Sequence, residues 1–107
     1  MMNVIWSEKA AETVRDIAAY ILREFGEKTK AKFLSEIDAV VSVLVLNPEM
    51  GAKDPFLKDF YVELRSVRVN RLNRIVYYID GQRIVIASFR DNRRDPKSFV
   101  DDVELVD

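Results

Sequence analysis

The chain has 107 residues, 49% of them apolar and 33% charged, which is enough for one domain with one core, read here as a single domain over 1–107. It contains neither cysteine nor histidine. That excludes disulfides, thiolate chemistry, the commonest general base near neutral pH and the commonest zinc ligand. The formal charge is −1, with three glycines and three prolines, so a compact, helix-rich protein is expected and not a disordered one.

In chain order, Asn3-Val4-Ile5-Trp6 reads as an opening strand. Ser7 is then placed to cap a helix, with Glu8 in its first turn. Apolar residues at Ala10, Val14, Ile17, Ala18, Ile21, Leu22 and Phe25 recur at helical spacing and define one buried face. Gly26 stands where a left-handed residue closes a helix. A second helix is predicted over 28–46, from the period Ala31, Phe33, Leu34, Ile37, Val40, Val41, Leu44 and Val45. Asn47-Pro48 ends it.

Residues 50–60 show no period and read as a loop. Tyr61–Val69 reads as a strand, bulged where its alternation shifts between Leu64 and Val67. Asn70–Asn73 is a connection. Arg74–Ile79 and Arg83–Phe89 form a hairpin across Asp80-Gly81, a dipeptide suited to a type I′ turn. Ile84, Ile86 and Ser88 are expected on one face of the last strand and Val85, Ala87 and Phe89 on the other, so this strand is central. Asp95-Pro96 starts a short helix over Lys97–Val103. The predicted fold is α+β, in the order β-α-α-β-β-β-(α), with a helical hairpin packed on a small, mostly antiparallel sheet.

Charge is unevenly distributed. From Arg65 to Lys97 there are nine basic residues and three acidic ones, a local net charge of +6. Such a segment in an otherwise acidic chain points to an anionic partner. The candidate binding residues are Arg65, Arg68, Arg74, Arg90, Arg93 and Arg94, because guanidinium forks gathered on one face can clamp a phosphate. The competing reading is a solvated sheet face with Arg74 paired to Glu63 or Asp91. Tyr61, Tyr77 and Tyr78 are candidates for stacking or proton transfer, against the commoner role of half-buried strand packing. No phosphate loop, dinucleotide fingerprint, metal motif or catalytic triad is present, so no cofactor and no metal are expected. Met1–Trp6 is too short for a signal peptide, and no apolar run approaches the ~20 residues that span a bilayer. A cytoplasmic protein without membrane contact is expected.

The chain resembles the RelE/ParE superfamily of bacterial type II toxins, also described as plasmid stabilisation proteins. The resemblance covers about residues 3–100. It rests on Val4-Ile5-Trp6-Ser7 before a helical hairpin, Leu46-Asn47-Pro48-Glu49-Met50-Gly51 after it, Leu64-Arg65-Ser66, Arg74-Ile75-Val76-Tyr77-Tyr78-Ile79, and Phe89-Arg90-Asp91-Asn92-Arg93-Arg94-Asp95-Pro96. It implies a small toxin neutralised by a cognate antitoxin wrapped around it. ParE-like members poison DNA gyrase, and RelE-like members cut mRNA in the ribosome. If the chain is RelE-like, the resemblance assigns catalytic roles to Arg74, Arg93 and Arg94. It departs from the RelE pattern at three places. Tyr61 and Glu63 stand where RelE has lysines, Phe99 or Val100 stands where it has a tyrosine, and no histidine is available. The resemblance therefore points to a ParE-like growth inhibitor that binds gyrase. An mRNA endoribonuclease and a non-toxic antitoxin-binding protein are the alternatives.

Overall fold

The computed structural model describes residues 1–58, 60–93 and 102–107. Strand β1 is Asn3–Trp6, helix α1 Glu8–Phe25 and helix α2 Glu27–Leu46. Strand β2 is Ala52–Lys53, followed by a single 3-10 turn at Pro55–Leu57, and then β3 Arg65–Arg68, β4 Asn73–Asp80 and β5 Arg83–Asp91. The strands form one sheet in the order β1-β5-β4-β3-β2. β1 runs parallel to β5, and the remaining pairs are antiparallel. The expected α+β fold, a helical hairpin on a mostly antiparallel sheet, is the observed one, and β5 is central.

Local chemistry sets the first half. Ser7 Oγ accepts a hydrogen bond from the Ala10 N–H at 3.1 Å and so caps α1. Gly26 alone links the helices. Its N–H donates to the carbonyls of Ile21 and Leu22. Its φ of +90° is open to glycine, but ψ is 175° and not the left-handed helical value, so the chain turns straight into α2. The buried face of the hairpin packs Ala10, Ala18, Phe33, Ile37 and Leu44 against Ile75, Tyr77, Ile84, Ile86 and Phe89 of the sheet. Phe33 meets Phe89 edge-on, with ring centroids 5.9 Å apart.

The second face of the sheet is also covered. Leu57 and Leu64, with the partly buried Phe60 and Val62, pack over Val76 and Tyr78. Val103, Leu105 and Val106 join the same cluster, which includes Val85 and Ala87. The sheet therefore lies between two helices on one side and a loop plus a terminal segment on the other.

Several expectations are corrected. Residues 50–60 are not wholly loop, because Ala52 and Lys53 pair with Ser66 and Arg65 at the sheet edge. The strand predicted over Tyr61–Val69 is confined to Arg65–Arg68. Leu64 and Val67 lie on opposite faces, as an odd spacing of three requires, so no bulge is needed there. The bulge is in β5 instead. Val76 pairs with Ser88 and Tyr77 with Ile86, which leaves Ala87 as the extra residue. That insertion moves Phe89 to the helix side, opposite the face its alternation predicted.

The hairpin turn is also shifted by one residue. Asp80 pairs with Arg83, so the turn residues are Gly81 and Gln82. Only Gly81 has positive φ, the pattern of a type II′ turn and not I′. Of the helix predicted over Lys97–Val103, residues 97–101 lie outside the described residues, and Val103 is not helical.

Candidate functional site

Register decides which arginines meet. Arg68 of β3 stands opposite Arg74 of β4, and Arg74 stands opposite Arg90 of β5. Directly opposed residues share a face with Cβ atoms about 4.5–5.5 Å apart. Ile75 and Phe89 point to the helices, so the three arginines form a row across the second face. Arg74 Nη1 donates to the hydroxyl of the buried Ser66 at 3.1 Å.

Arg90 forms an ion pair with Asp54 at 3.1 Å, and the two side chains are only 10% and 2% exposed. Burial pulls the basicity of Arg90 below its usual value and the charge of Arg74 pulls it further, while Asp54 opposes both. Arg68 is exposed.

The other candidates are elsewhere. Arg65 lies beside Tyr77 and not in the row. Its Nη1 donates to the Glu49 and Gly51 carbonyls at 3.1 and 2.8 Å, and its Nη2 to Glu63 at 3.0 Å. Glu63 also meets Lys53 at 3.2 Å. The hydrogen bond from Lys53, with the charges of Lys53 and Arg65, holds the Glu63 carboxyl below the usual range. Arg93 forms a two-point pair with Asp91 through Nε and Nη2, at 3.0 and 2.7 Å, which raises its basicity. It lines the groove on the helix side, away from the row. Arg94 lies outside the described residues, as do Asp95, Pro96, Phe99 and Val100.

Two of the candidate tyrosines are occupied. The Tyr77 hydroxyl donates to the Pro48 carbonyl at 2.6 Å and accepts from the Gly51 N–H at 2.9 Å. Burial raises its pKa above the ordinary value. The Tyr78 hydroxyl accepts from the Val106 N–H at 2.8 Å and donates to the Val106 carbonyl at 3.0 Å. Tyr61 is 84% exposed.

On the helix side lies an apolar groove of about 830 Å³. Ile17, Tyr20 and Ile21 of α1, Phe33 of α2 and Leu72 line it, and Arg71 and Arg93 are also in its lining. Tyr20 and Phe25 are 51% and 62% exposed and meet edge-on. Among the described residues no helix is long and apolar enough to cross a membrane. No group of three or more carboxylates there could hold a metal ion.

Sequence reasoning missed Asp54, which sits in the stretch read as an aperiodic loop. A lone aspartate before a proline gives no sign that it will be buried against an arginine 36 positions later.

The family model described as the ParE toxin of type II toxin-antitoxin system, parDE, matches residues 4–96. Among solved structures, the chain is similar to one from the chromosomal ParDE TA system of P. aeruginosa, with a TM-score of 0.68 and 22% identity over 85% of this chain and 96% of that one. It is similar to the YoeB dimer of Staphylococcus aureus, with a TM-score of 0.57 and 22% identity over 83% and 94% of the two chains. It is also similar to a YoeB/ParE toxin from Agrobacterium tumefaciens, with a TM-score of 0.57 and 20% identity over 85% and 99%. No protein of curated function matches the sequence.

Proposed function

The chain belongs to the ParE toxin family of type II toxin–antitoxin systems, and from that premise we propose that it arrests growth by binding DNA gyrase and not by cutting RNA. One observation carries this reading: two of the three candidate tyrosines, Tyr77 and Tyr78, are committed within the fold, and the third, Tyr61, is exposed on the surface. Tyr77 and Tyr78 each spend both hydrogen-bonding capacities of the hydroxyl on backbone groups. Lys53 and Arg65 flank Glu63 and lower its basicity, which makes it a weaker proton acceptor. A general acid or base needs a free lone pair or proton within reach of the substrate, and the chain has no histidine to supply one.

The second reading is a ribosome-dependent mRNA endoribonuclease. The row Arg68–Arg74–Arg90 favours it, because guanidinium groups stabilise charge on a phosphate in flight. A structural neighbour, the YoeB dimer, shares the fold. On this reading Arg74 carries the catalysis, with Arg93 and Arg94 as the remaining assigned residues.

The partner we propose is a cognate antitoxin. Among the structural neighbours is a heterotetrameric YoeB–YefM toxin–antitoxin complex from Staphylococcus aureus. The apolar groove beside Tyr20, Phe25 and Leu72 is suited to the apolar face of an antitoxin helix. Arg71 and Arg93 in its lining would meet acidic residues of that helix. Because Arg93 is already paired with Asp91, reversing Arg71 is expected to weaken the complex more than reversing Arg93.

The deciding experiment is inducible expression with separate pulse-labelling of DNA and protein synthesis, followed by gyrase supercoiling and mRNA cleavage assays on purified toxin. Loss of DNA synthesis with inhibited supercoiling and intact mRNA is expected. Prompt loss of protein synthesis with codon-position cleavage, abolished in Arg74→Ala, would overturn the gyrase reading. No growth arrest would leave an antitoxin-binding protein without a toxic target.

A further inference from the structure

Strand β1 and helix α1 form an N-terminal unit joined to the rest of the chain through one residue, Gly26. A terminal element on a single short hinge is the arrangement that two copies of a chain can exchange. The hinge holds a backbone that only glycine adopts readily, with φ +90° and ψ 175°. Nothing lies within 4 Å of the place a Cβ would take. Backbone conformation, and not packing, therefore requires glycine here.

The flanking residues favour helix. Arg23, Glu24, Glu27 and Lys28 are all good helix formers. With helical angles at Gly26, residues 8–46 would run as one helix. A helix start leaves its first N–H groups without partners in the helix, and α2 has no side-chain cap there. Continuity would pair the N–H groups of Glu27, Lys28 and Thr29 with the carbonyls of Arg23, Glu24 and Phe25. Thr29 Oγ1 already reaches the Phe25 carbonyl at 3.4 Å. Continuity would also set Arg23 with Glu27 and Glu24 with Lys28 at i, i+4 spacing. No new helix nucleus is required, because both halves exist.

The core opposes this in a lone chain. Ala10 and Ala18 of α1 are buried in the core, and β1 pairs with β5. A single chain that straightened would lose those contacts, whereas two chains that straighten together recover them by exchange. Two exposed apolar side chains mark the seam such a pair would form. Leu22 and Phe25, 36% and 62% exposed, lie beside the hinge. On a continuous helix Leu22, Phe25 and Thr29 fall on one stripe, at spacings of three and four. A twofold axis near Gly26 sets that stripe against its own copy.

We propose that two copies of this chain exchange β1 and α1 by straightening at Gly26, each laying its β1 beside β5 of the other, with Leu22 and Phe25 meeting across the twofold axis. The exchange depends on the hinge and not on the target the toxin meets.

The chain has no cysteine, so a spin-label pair can be placed through Glu12→Cys and Asp38→Cys, both exposed positions. Labelled chain is mixed with excess unlabelled chain, concentrated, warmed to the onset of melting and cooled. Distances are then read within single chains, in the monomer and dimer fractions separated by size. In the monomer the labels sit on two packed helices with axes about 10 Å apart. In the exchanged dimer they are expected about 39 Å apart, at about 1.5 Å per residue of one helix. A dimer that keeps the monomer distance, or no dimer after this treatment, would overturn the exchange.

Gly26→Ala tests the hinge. Alanine disfavours the closed backbone and favours the helix, at both hinges of a dimer, so the dissociation constant is expected to fall at least about tenfold. Phe25→Glu in that background places like charges on the axis and is expected to raise it again. Leu46→Glu, at an exposed apolar residue far along α2, is expected to leave it unchanged. A folded Gly26→Ala no more dimeric than the unaltered chain would overturn the hinge. Indifference to Phe25→Glu, or equal weakening by Leu46→Glu, would overturn the seam. The label distances use the unaltered hinge, so they decide even if Gly26→Ala fails to fold.

Discussion

Tyr77 illustrates how much one side chain can be asked to do. Its ring is fully buried against the helices, while its hydroxyl fastens the Pro48–Gly51 segment to the sheet. Tyr77→Phe keeps the ring and removes both bonds, so a loss of about 1–3 kcal/mol is expected by chemical denaturation. The raised pKa adds a pH signature. Burial holds the folded-state phenol neutral, so the stability it contributes is complete below its unfolded pKa near 10. It is lost as pH rises through the higher folded value, because the unfolded chain releases the proton first. The melting temperature should therefore fall more steeply above about pH 10 in the unaltered protein than in Tyr77→Phe. Gly51 lies under the same hydroxyl. A Cβ there would sit 2.7 Å from Tyr77 Cε1 and Oη and 2.9 Å from the Ser66 carbonyl. The ring is pinned and cannot give way, so Gly51→Ala should cost about 1–3 kcal/mol by overpacking, measured as a lower denaturant midpoint.

At the scale of elements, the α1 N-terminus shows local and distant signals meeting. Ser7 was legible as a cap from its place before Glu8. What the tertiary structure adds is the rest of its bonding. Ser7 Oγ also donates to the Ala87 carbonyl at 3.4 Å, and its N–H donates to Ile86. The bulge at Ala87 explains this, since an unpaired residue leaves its carbonyl out of the ladder and available to others. The Glu104 N–H takes the same carbonyl at 3.0 Å, and Glu104 Oε1 accepts from the Lys9 N–H in the first turn of α1. Ser7→Ala should therefore cost about 1–2 kcal/mol, read as a lower denaturant midpoint. The helix periods and the β4–β5 hairpin were legible because they recur within a few residues. The bulge was not, because nothing in Ile84–Phe89 marks which residue will go unpaired.

For the whole molecule, the acidic terminal segment completes the second sheet face, on which it packs through Val103, Leu105 and Val106. Tyr78 binds Val106, and Arg83 donates to the Val106 and Asp107 carbonyls. Removing residues 103–107 should expose the apolar surface around Tyr78, Val85 and Ala87. A lower melting temperature and increased binding of a hydrophobic dye are expected, with far-UV helix content unchanged.

The candidate site divides along the same line. That arginines are the candidate residues was legible from a local charge of +6. Which arginines meet was not. Arg68, Arg74 and Arg90 come together through register, while Arg65 and Arg93 are drawn off to Glu63 and Asp91. The sequence by itself determined β1, the two helices and the Ser7 cap, the β4–β5 hairpin and the family, since each depends on residue types at short, regular spacing. Only the tertiary structure decided the parallel pairing of β1 with β5, the face of Phe89 and the burial of Asp54 against Arg90. Those depend on the order and register of strands far apart in the chain, which hydrogen-bond geometry and core packing fix together.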